Sequence, residues 1–324
     1  MTKLPIILGP TSVGKTEVAI NLKNHLSIEI ISADSRQIYK YLTVGTNKPQ
    51  GSWVNVSNLG NVYIYKNVYY HLVDFIEPDE EYNAGRFYED ASFCIKKILN
   101  RGNIPLVVGG TGLYIKTLTD GISILPKRSK EIRENLQQLL NLYGREYLYT
   151  LLLKYDPQRA KEIHPNNVQR IIRSLEIIMQ TGEPFSKLVK KIPKTKSYDV
   201  ILVGLYLSKD KLKNNILKRT EWMFKNGIIE ETKNLLEKGY SKDIPALTSI
   251  GYKWIIKYLN KEIDINTAKD NFIKDTLNYA KRQMVWFKKD ERIKWINCDD
   301  LSYDEISEKL YNLLIKELIP QFSN

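Results

Sequence analysis

The most constraining feature of the sequence is a short glycine-rich segment near its start. Gly9 is followed by four residues and then by Gly14, Lys15 and Thr16, a spacing typical of a phosphate-binding loop. The apolar segment LPIIL precedes the loop as a predicted strand, and the amphipathic segment KTEVAINLKNHL follows it as a predicted helix. In such a loop, backbone N–H groups face a phosphate at the start of the helix. We therefore expect a bound di- or triphosphate.

The loop residues have separate expected roles. Lys15 is expected to reach the terminal phosphate groups, and Thr16 to ligate Mg²⁺. ATP is the usual ligand of such loops, so nucleotide binding with phosphoryl transfer is the first hypothesis. Whatever the ligand, we expect its phosphates to be held by Gly9, Pro10, Thr11, Ser12, Val13, Gly14, Lys15 and Thr16.

Strands and helices alternate in the first third of the chain. IEIISAD, which ends at Asp34, and IPLVVGGTG are further predicted strands. This alternation predicts an α/β, P-loop NTPase-like fold with a parallel sheet and helices on both faces. Ligands of such folds bind beyond the carboxyl ends of the strands. We therefore expect Gly9–Thr16, Asp34 and Gly109–Gly112 to meet in one cleft.

The middle of the chain changes to a helical pattern from about Ser129 to Thr181, with Gly144 and Gly182 where C-terminal caps belong. YDVILVGLYL is then predicted as the final core strand. We predict a catalytic core of residues 1–125 and 197–324 with C-terminal helices, and a helical insertion domain of residues 126–196. The segment between Pro49 and His71 is a candidate hairpin at the edge of the cleft.

Composition bounds the class of protein. The formal net charge is +12, which favours a polyanionic partner such as nucleic acid, although the lysine-rich composition of an AT-rich genome explains it too. The two cysteines, Cys94 and Cys298, indicate neither a disulfide framework nor a cysteine metal site. No apolar run is long enough to span a bilayer, and no signal peptide is recognisable. We expect a cytoplasmic protein without membrane contact.

Seven segments, taken together, resemble the bacterial tRNA dimethylallyltransferases, also called tRNA isopentenyltransferases. In chain order, from about Leu4 to Lys288, they are GPTSVGKTE, IISADSRQIYK, VGTNKP, PLVVGGTGLYIK, IHPNNVQRIIRSLEI, TSIGYK and YAKRQMVWFK. The resemblance implies transfer of a dimethylallyl group from dimethylallyl diphosphate to the exocyclic amino group of the adenosine at tRNA position 37, beside the anticodon. It also implies Mg²⁺ as cofactor, release of diphosphate, and the tRNA anticodon stem-loop as partner. A monomer is expected.

The resemblance also implies catalytic residues. Arg219, with Lys15 and the loop amides, would stabilise the departing diphosphate; on spacing alone it is a solvated helix arginine. Asp34 would accept the proton of the adenine amino group, and Thr111 would position that group. Spacing alone leaves two alternatives for Asp34, a magnesium ligand of the Walker-B kind or a cap of the following helix.

A tRNA-binding surface is implied as well. The target base must leave the anticodon loop to enter a cleft, and single-stranded bases are read by stacking and edge hydrogen bonds. Trp286 and Phe287 are expected in the core. The implied tRNA-binding residues are Asp34, Ser35, Arg36, Gln37, Gln169, Arg170, Arg173, Gly251, Tyr252, Lys253, Lys281, Arg282 and Gln283.

Three other functions share part of this pattern. A P-loop small-molecule kinase needs the loop and the sheet but not the QRIIR, IGYK and AKRQ segments together. An adenine-nucleotide prenyltransferase would use a free nucleotide as acceptor, whereas the helical insertion and the basic C-terminal helices favour RNA. A nucleotide-switched RNA-binding protein would bind RNA in a salt-sensitive way without forming a covalent product.

Overall fold

The computed structural model describes residues 2–57, 59–123, 125–191 and 198–322. The chain divides into two compact units, which are described separately. The core unit contains Met1–Thr119 and Ser197–Asn324, and the helical unit contains Asp120–Lys196. None of the helices in the described ranges combines the length and the apolar composition needed to cross a bilayer.

Eight strands form one sheet in the core unit. They are β1 (Thr2–Leu8), β2 (Ile28–Ala33), β3 (Ser52–Val56), β4 (Gly60–Tyr65), β5 (Val68–His71), β6 (Ile104–Gly109), β7 (Tyr198–Tyr206) and β8 (Lys294–Asn297). The order across the sheet is β3-β4-β5-β2-β6-β1-β7-β8. Strand β4 is antiparallel to both of its neighbours, and the other pairings are parallel.

Helices follow the strands in the order that the alternation predicts. In chain order they are α1 (Lys15–Asn21), α2 (Ala84–Asn100), α3 (Gly112–Asp120), α4 (Lys130–Tyr155), α5 (Pro157–Lys161), α6 (Val168–Thr181), α7 (Phe185–Lys191), α8 (Lys209–Lys225), α9 (Ile228–Glu237), α10 (Tyr252–Leu259), α11 (Ile265–Phe287) and α12 (Tyr303–Phe322). A 3₁₀ turn at Leu22–Asn24 extends α1.

Both faces of the sheet are covered, because successive side chains of a strand point to opposite sides. In β1, Ile7 packs into a cluster with Val18 of α1 and Leu310 of α12. Its neighbour Ile6 packs on the opposite side with Phe87 of α2. The central strands are buried on both sides, which explains their unbroken apolar runs.

Two expectations about the sheet need correction. The sheet is mixed rather than entirely parallel, because the hairpin predicted between Pro49 and His71 forms β3 and β4 at one edge. YDVILVGLYL is not the final strand, since β8 pairs with β7 beyond it. Strand β8 has only four residues, all exposed or half-buried, so the sequence lacks the apolar run that marks a core strand.

The helical unit is held by buried carboxylates as well as by apolar contacts. Glu176 is fully buried and accepts hydrogen bonds from the Ser129 N–H (2.7 Å) and from Arg173 (2.9 Å). Gly182 ends α6 in the left-handed conformation, as predicted. Gly144, with φ 81°, also ends a helical stretch, as predicted; a second stretch follows it directly, so α4 contains a kink at this residue.

One buried carboxylate makes the stability of the core unit depend on pH. Glu29 of β2 is 1% exposed and binds His71, Arg101 and Asn103 at 2.5–2.8 Å. Burial alone would raise the pKa of Glu29, but these hydrogen bonds outweigh it and lower the pKa to about 2. A lowered pKa stabilises the fold above the unfolded value of 4.5, and this stabilisation is lost as the pH falls toward 2.

We therefore predict that Glu29→Gln reduces the free energy of unfolding by about 2–3 kcal/mol at pH 7, because Arg101 loses its charged partner. Urea unfolding at several pH values measures the effect. The difference between variant and wild type should shrink from pH 5 to pH 2. A difference that does not change with pH would show that ionised Glu29 is not its source.

Candidate active site

The phosphate-binding loop lies between β1 and α1 and is packed too closely for side chains at two positions. Gly9 has φ +147°, and a Cβ there would overlap the carbonyl oxygen of Leu205 on β7. Gly14 has φ +94°, and a Cβ there would lie 2.6 Å from Cε1 of Tyr303. Glycine is therefore required at both positions by backbone conformation and by space.

Two half-buried cations, Lys15 and Arg219, are held at the loop. The Lys15 Nζ donates hydrogen bonds to the carbonyl oxygens of Gly9 (3.0 Å) and Pro10 (2.7 Å). Arg219 of α8 donates to Thr11 Oγ1 (2.7 Å) and to the Thr46 carbonyl oxygen (3.2 Å). Burial lowers the pKa of Lys15 to about 8 and that of Arg219 to about 10, against a smaller opposing effect of the Asp34 charge. Such a pair suits an anion with several charges.

The ends of three adjacent strands open into one cavity of about 630 Å³. The loop after β1, Asp34 after β2, and Gly109 and Gly110 at the end of β6 all line it, as the alternating pattern predicts. Lys48–Gln50 and Tyr65 line it from the hairpin side. The expected convergence of the strand ends on one cleft is thus found, with the hairpin at its rim.

Asp34 and Thr111 are tied to the same turn. Asp34 Oδ1 accepts hydrogen bonds from the backbone N–H groups of Arg36 (2.8 Å) and Gln37 (3.3 Å). Thr111 Oγ1 accepts from the Ser35 N–H (3.0 Å), and the Thr111 N–H donates to the Ala33 carbonyl oxygen (3.1 Å). Asp34 therefore does cap the following segment, which is a turn rather than a helix, and it does so through Oδ1.

A second cavity of about 310 Å³ meets the first. The residues that line both are Thr11, Asp34, Thr46, Arg219 and Tyr279. Apolar side chains of Met223, Ile250 and Phe272 line the second cavity, together with the cations Arg36 and Arg282. A phosphate group in the first cavity and an aromatic group in the second would thus come together beside Asp34 and Arg219.

Tyr279 of α11 is a site residue that the sequence patterns did not single out. Burial together with the Asp34 charge raises its pKa to about 12, against a smaller opposing effect of the neighbouring Thr111 side chain. The phenol is therefore neutral at ordinary pH. Tyr279 begins the segment YAKRQMVWFK and lies one helical turn before Gln283, so a helical projection could have placed both on one face.

Three residues implied to contact tRNA are buried. Gln283 is 6% exposed; its Oε1 accepts from the Thr11 N–H (2.9 Å) and its Nε2 donates to the Gly110 carbonyl oxygen (2.8 Å). Tyr252 is fully buried, and Gly251 is buried against Phe272. These positions support the site from within, and their contact with RNA stays a prediction.

The other residues implied to bind tRNA differ in their exposure to solvent. Lys253, Lys281 and Arg282 of the core unit and Gln169 and Arg170 of the helical unit are exposed. In addition to binding Glu176, Arg173 donates to the Pro126 carbonyl oxygen. Ser35, Arg36 and Gln37 are half-buried beside the cavities, where Arg36 donates to the Pro245 carbonyl oxygen (2.7 Å).

The expectation that two aromatic residues at the end of α11 lie in the core holds for one of them. Phe287 is 3% exposed and belongs to a core cluster. Trp286 is 42% exposed, with Lys116 over its ring, so a core position was the wrong expectation for it.

Comparison with known proteins identifies the family. The sequence profile of the IPP transferase family matches residues 37–290, and that of the isopentenyl transferases matches residues 2–70. The chain belongs to the IPP transferase family. It is 38% identical over 321 residues to the tRNA dimethylallyltransferase of Caldanaerobacter subterraneus subsp. tengcongensis, covering 98% of both chains. Identity to the tRNA dimethylallyltransferase of Thermosipho africanus is also 38%, covering 97% of this chain and 99% of the relative.

Solved structures of IPP transferases confirm the predicted P-loop NTPase-like α/β fold. The full-length tRNA isopentenylpyrophosphate transferase of Bacillus halodurans is similar with a TM-score of 0.70 and 32% identity, covering 100% of this chain and 99% of that one. A eukaryotic dimethylallyltransferase, described as acting on tRNA, is similar with a TM-score of 0.78 and 25% identity, covering 99% of this chain and 80% of that one.

The lowered pKa of Lys15 predicts how anion binding depends on pH. Above about pH 8 the ammonium group loses its proton, so its attraction for a phosphate group falls as the pH rises. We expect the dissociation constant of inorganic diphosphate to rise about tenfold more between pH 7 and 9.5 in the wild type than in Lys15→Arg, whose side chain stays charged. Isothermal titration calorimetry measures both curves. Ionisation of the ligand affects the two proteins equally, so parallel curves would contradict the assignment.

Proposed function

We propose that this chain transfers a dimethylallyl group from dimethylallyl diphosphate to the exocyclic amino group of the adenosine at position 37 of tRNA, with release of diphosphate. Membership in the IPP transferase family and the names of the relatives support this reaction over phosphorylation. The observation that carries it is the junction of the two cavities, where the cation Arg219 and the carboxylate Asp34 both lie.

The first half of the reaction is departure of the diphosphate. The bond between the allylic carbon and the diphosphate oxygen breaks, and its electron pair goes to that oxygen. Lys15 and Arg219 stabilise the added negative charge, and they are already held in place by Gly9, Pro10 and Thr11. Cations that are fixed in advance stabilise such charge far better than mobile ones do.

The loop also fits the Mg²⁺ that the family resemblance implies. Thr16 lines the diphosphate cavity together with Asp34. In the described ranges no three His, Cys, Asp or Glu side chains cluster as a metal site, but Mg²⁺ commonly takes one or two protein ligands and completes its shell with phosphate oxygens and water. The Thr16 hydroxyl would hold the ion, which when bound supplies positive charge against the diphosphate oxygens.

The second half is attack by the adenine amino group, whose lone pair is delocalised into the ring. Asp34 accepts the proton of this group as the new C–N bond forms, a step that typically contributes ~10²–10⁴-fold. The hydroxyl groups of Thr111 and Tyr279 orient the amino group beside Asp34. The apolar side chains of Phe272 and Met223 offer surface for the base in the second cavity.

The adenosine reaches this cavity by leaving the anticodon loop. Lys253, Lys281 and Arg282 are exposed cations of the core unit that would contact the phosphates of the anticodon stem-loop. Gln169 and Arg170 would do the same in the helical unit, which we propose contacts tRNA as an insertion domain. One copy of the chain carries every residue named in this reaction, so we propose a monomer acting in the cytoplasm, where tRNA is used.

Nucleoside mass spectrometry tests the acceptor. Unmodified tRNA with adenosine at position 37 should gain one dimethylallyl group when incubated with the protein, Mg²⁺ and dimethylallyl diphosphate. The same tRNA with guanosine at position 37 should gain none, and neither should free AMP. Prenylated AMP with unmodified tRNA would instead identify an adenine-nucleotide prenyltransferase.

We predict that Asp34→Asn lowers the turnover number at least ~10²-fold, because the amide cannot accept the proton. Asn keeps an oxygen for the N–H groups of Arg36 and Gln37, so the turn should persist and tRNA should still bind. Single-turnover prenylation and a tRNA-binding assay measure the two effects. Asp270→Asn, an exposed change on α11, is the matched control and should leave both unaffected. Near-normal turnover of Asp34→Asn would remove Asp34 from the mechanism.

A further inference from the structure

One carboxylate outside the cavities gathers an unusual number of donors. Glu231 lies on α9, and its Oε2 accepts hydrogen bonds from the backbone N–H groups of Thr43 and Val44, both at 2.7 Å. Its Oε1 accepts from the Gly45 N–H (3.0 Å) and from the Tyr252 hydroxyl group (2.7 Å). Successive backbone N–H groups that converge in this way form an anion-binding concavity. Here the anion is supplied by the protein itself.

The segment held by Glu231 continues directly into the site. We call residues 43–48 the bridging loop, since it joins two parts of the site through its carbonyl groups. The Thr46 carbonyl oxygen accepts from Arg219 (3.2 Å) and from Gln37 Nε2 (3.3 Å), and the Asn47 carbonyl oxygen also accepts from Gln37 (3.0 Å). Thr46 lines both cavities. The bridging loop thus contacts the diphosphate arginine and the turn that carries Asp34.

Close packing fixes the positions of Glu231, Tyr252 and the bridging loop. Tyr252 is fully buried, so its hydroxyl group is fixed beside the Glu231 carboxylate. A Cβ at Gly45 would overlap that hydroxyl group. The loop backbone, the carboxylate and the phenol are therefore in mutual contact. Hydrogen bonds to a carboxylate are about twice as strong as bonds between neutral groups, so Glu231 is a strong support of the loop.

We infer that Glu231 is a positioning residue of the active site, acting through the bridging loop to fix Arg219 at the diphosphate cavity. The inference rests on the proposed function for the role of Arg219. The guanidinium group is held by Thr11 Oγ1 on one side and by the Thr46 carbonyl oxygen on the other. Without Glu231, the bridging loop would no longer fix the Thr46 carbonyl oxygen. Arg219 would then be mobile when the diphosphate binds.

Calorimetric titration with inorganic diphosphate and Mg²⁺ tests the inference. Glu231→Gln replaces one acceptor oxygen by an N–H₂ group facing backbone donors, and it should weaken diphosphate binding at least tenfold. Glu230→Gln changes the exposed neighbour on the same helix and should have no effect. In an Arg219→Gln background, Glu231→Gln should cause little further loss, because both changes remove the same interaction. Unchanged affinity, or an equal loss in both backgrounds, would overturn the inference.

Hydrogen exchange of the backbone gives a readout that needs neither ligand nor reaction. The amides of Thr43, Val44 and Gly45 should exchange faster in Glu231→Gln than in the wild type or in Glu230→Gln. Tyr252→Phe keeps the buried ring and removes one donor to the carboxylate, so it should act in the same direction with a smaller effect. It also provides the test if Glu231→Gln fails to fold. Unchanged exchange in the folded variants would contradict the inference.

The two proposals can fail separately. A wild type that binds diphosphate but leaves tRNA unmodified would refute the proposed function, while a weakened Glu231→Gln would still uphold the positioning role. Prenylation of tRNA by Glu231→Gln with the kcat/KM of the wild type would refute the positioning role and leave the function intact.

Discussion

Two half-buried cations at the phosphate-binding loop, Lys15 and Arg219, are the constraint on which the rest of the site depends. Removing a charged group from water is costly unless it is paired, and burial accordingly lowers the pKa of both side chains. Asp34 opposes this effect only in part. A multiply charged anion between Lys15 and Arg219 would neutralise the remaining positive charge. The hydrogen bonds of Lys15 and Arg219 hold the two positive charges in place before the anion binds.

The order of strands in the sheet explains why the site is built from only a few strands and helices. β2, β6 and β1 are adjacent strands, and their carboxyl ends deliver Asp34, Gly110–Thr111 and the phosphate-binding loop to one edge. The segments after β2 and β6 are joined directly by the hydrogen bond between Ser35 and Thr111. The Gln283 side chain of α11 joins the segment after β6 to the phosphate-binding loop. From the other side, α8 and α11 contribute Arg219 and Tyr279. Departure of the intact diphosphate from the allylic carbon and transfer of the amino proton can therefore occur within one pair of connected cavities.

Local sequence patterns were sufficient to predict the features that depend on local structure. The loop, the strands that end at Asp34 and Gly109, and the two-faced burial follow from spacing and from apolar runs. Strand β8 was missed because its four residues have no apolar run, and the antiparallel β4 depends on a hairpin that alternation alone does not orient.

Long-range polar contacts could not be predicted from such patterns. Gln283 was expected to face RNA, yet it binds the backbone of Thr11, 272 positions away. Glu231 and the Thr43 amide are 188 positions apart, and nothing in either segment indicates that they meet. A polar residue looks the same in a sequence whether it faces solvent, nucleic acid or a distant loop. Family resemblance supplied the candidate roles of Arg219 and Thr111, and geometry added Tyr279 and Glu231.

The central claim is that the phosphate-binding loop holds a leaving group rather than a group to be transferred. The most direct test is to quantify diphosphate and modified tRNA in the same reaction of wild-type protein, Mg²⁺, dimethylallyl diphosphate and unmodified tRNA, without any nucleoside triphosphate. The account predicts one diphosphate released for each dimethylallyl group found on adenosine 37. A requirement for ATP, or a phosphorylated product in place of a prenylated one, would contradict it.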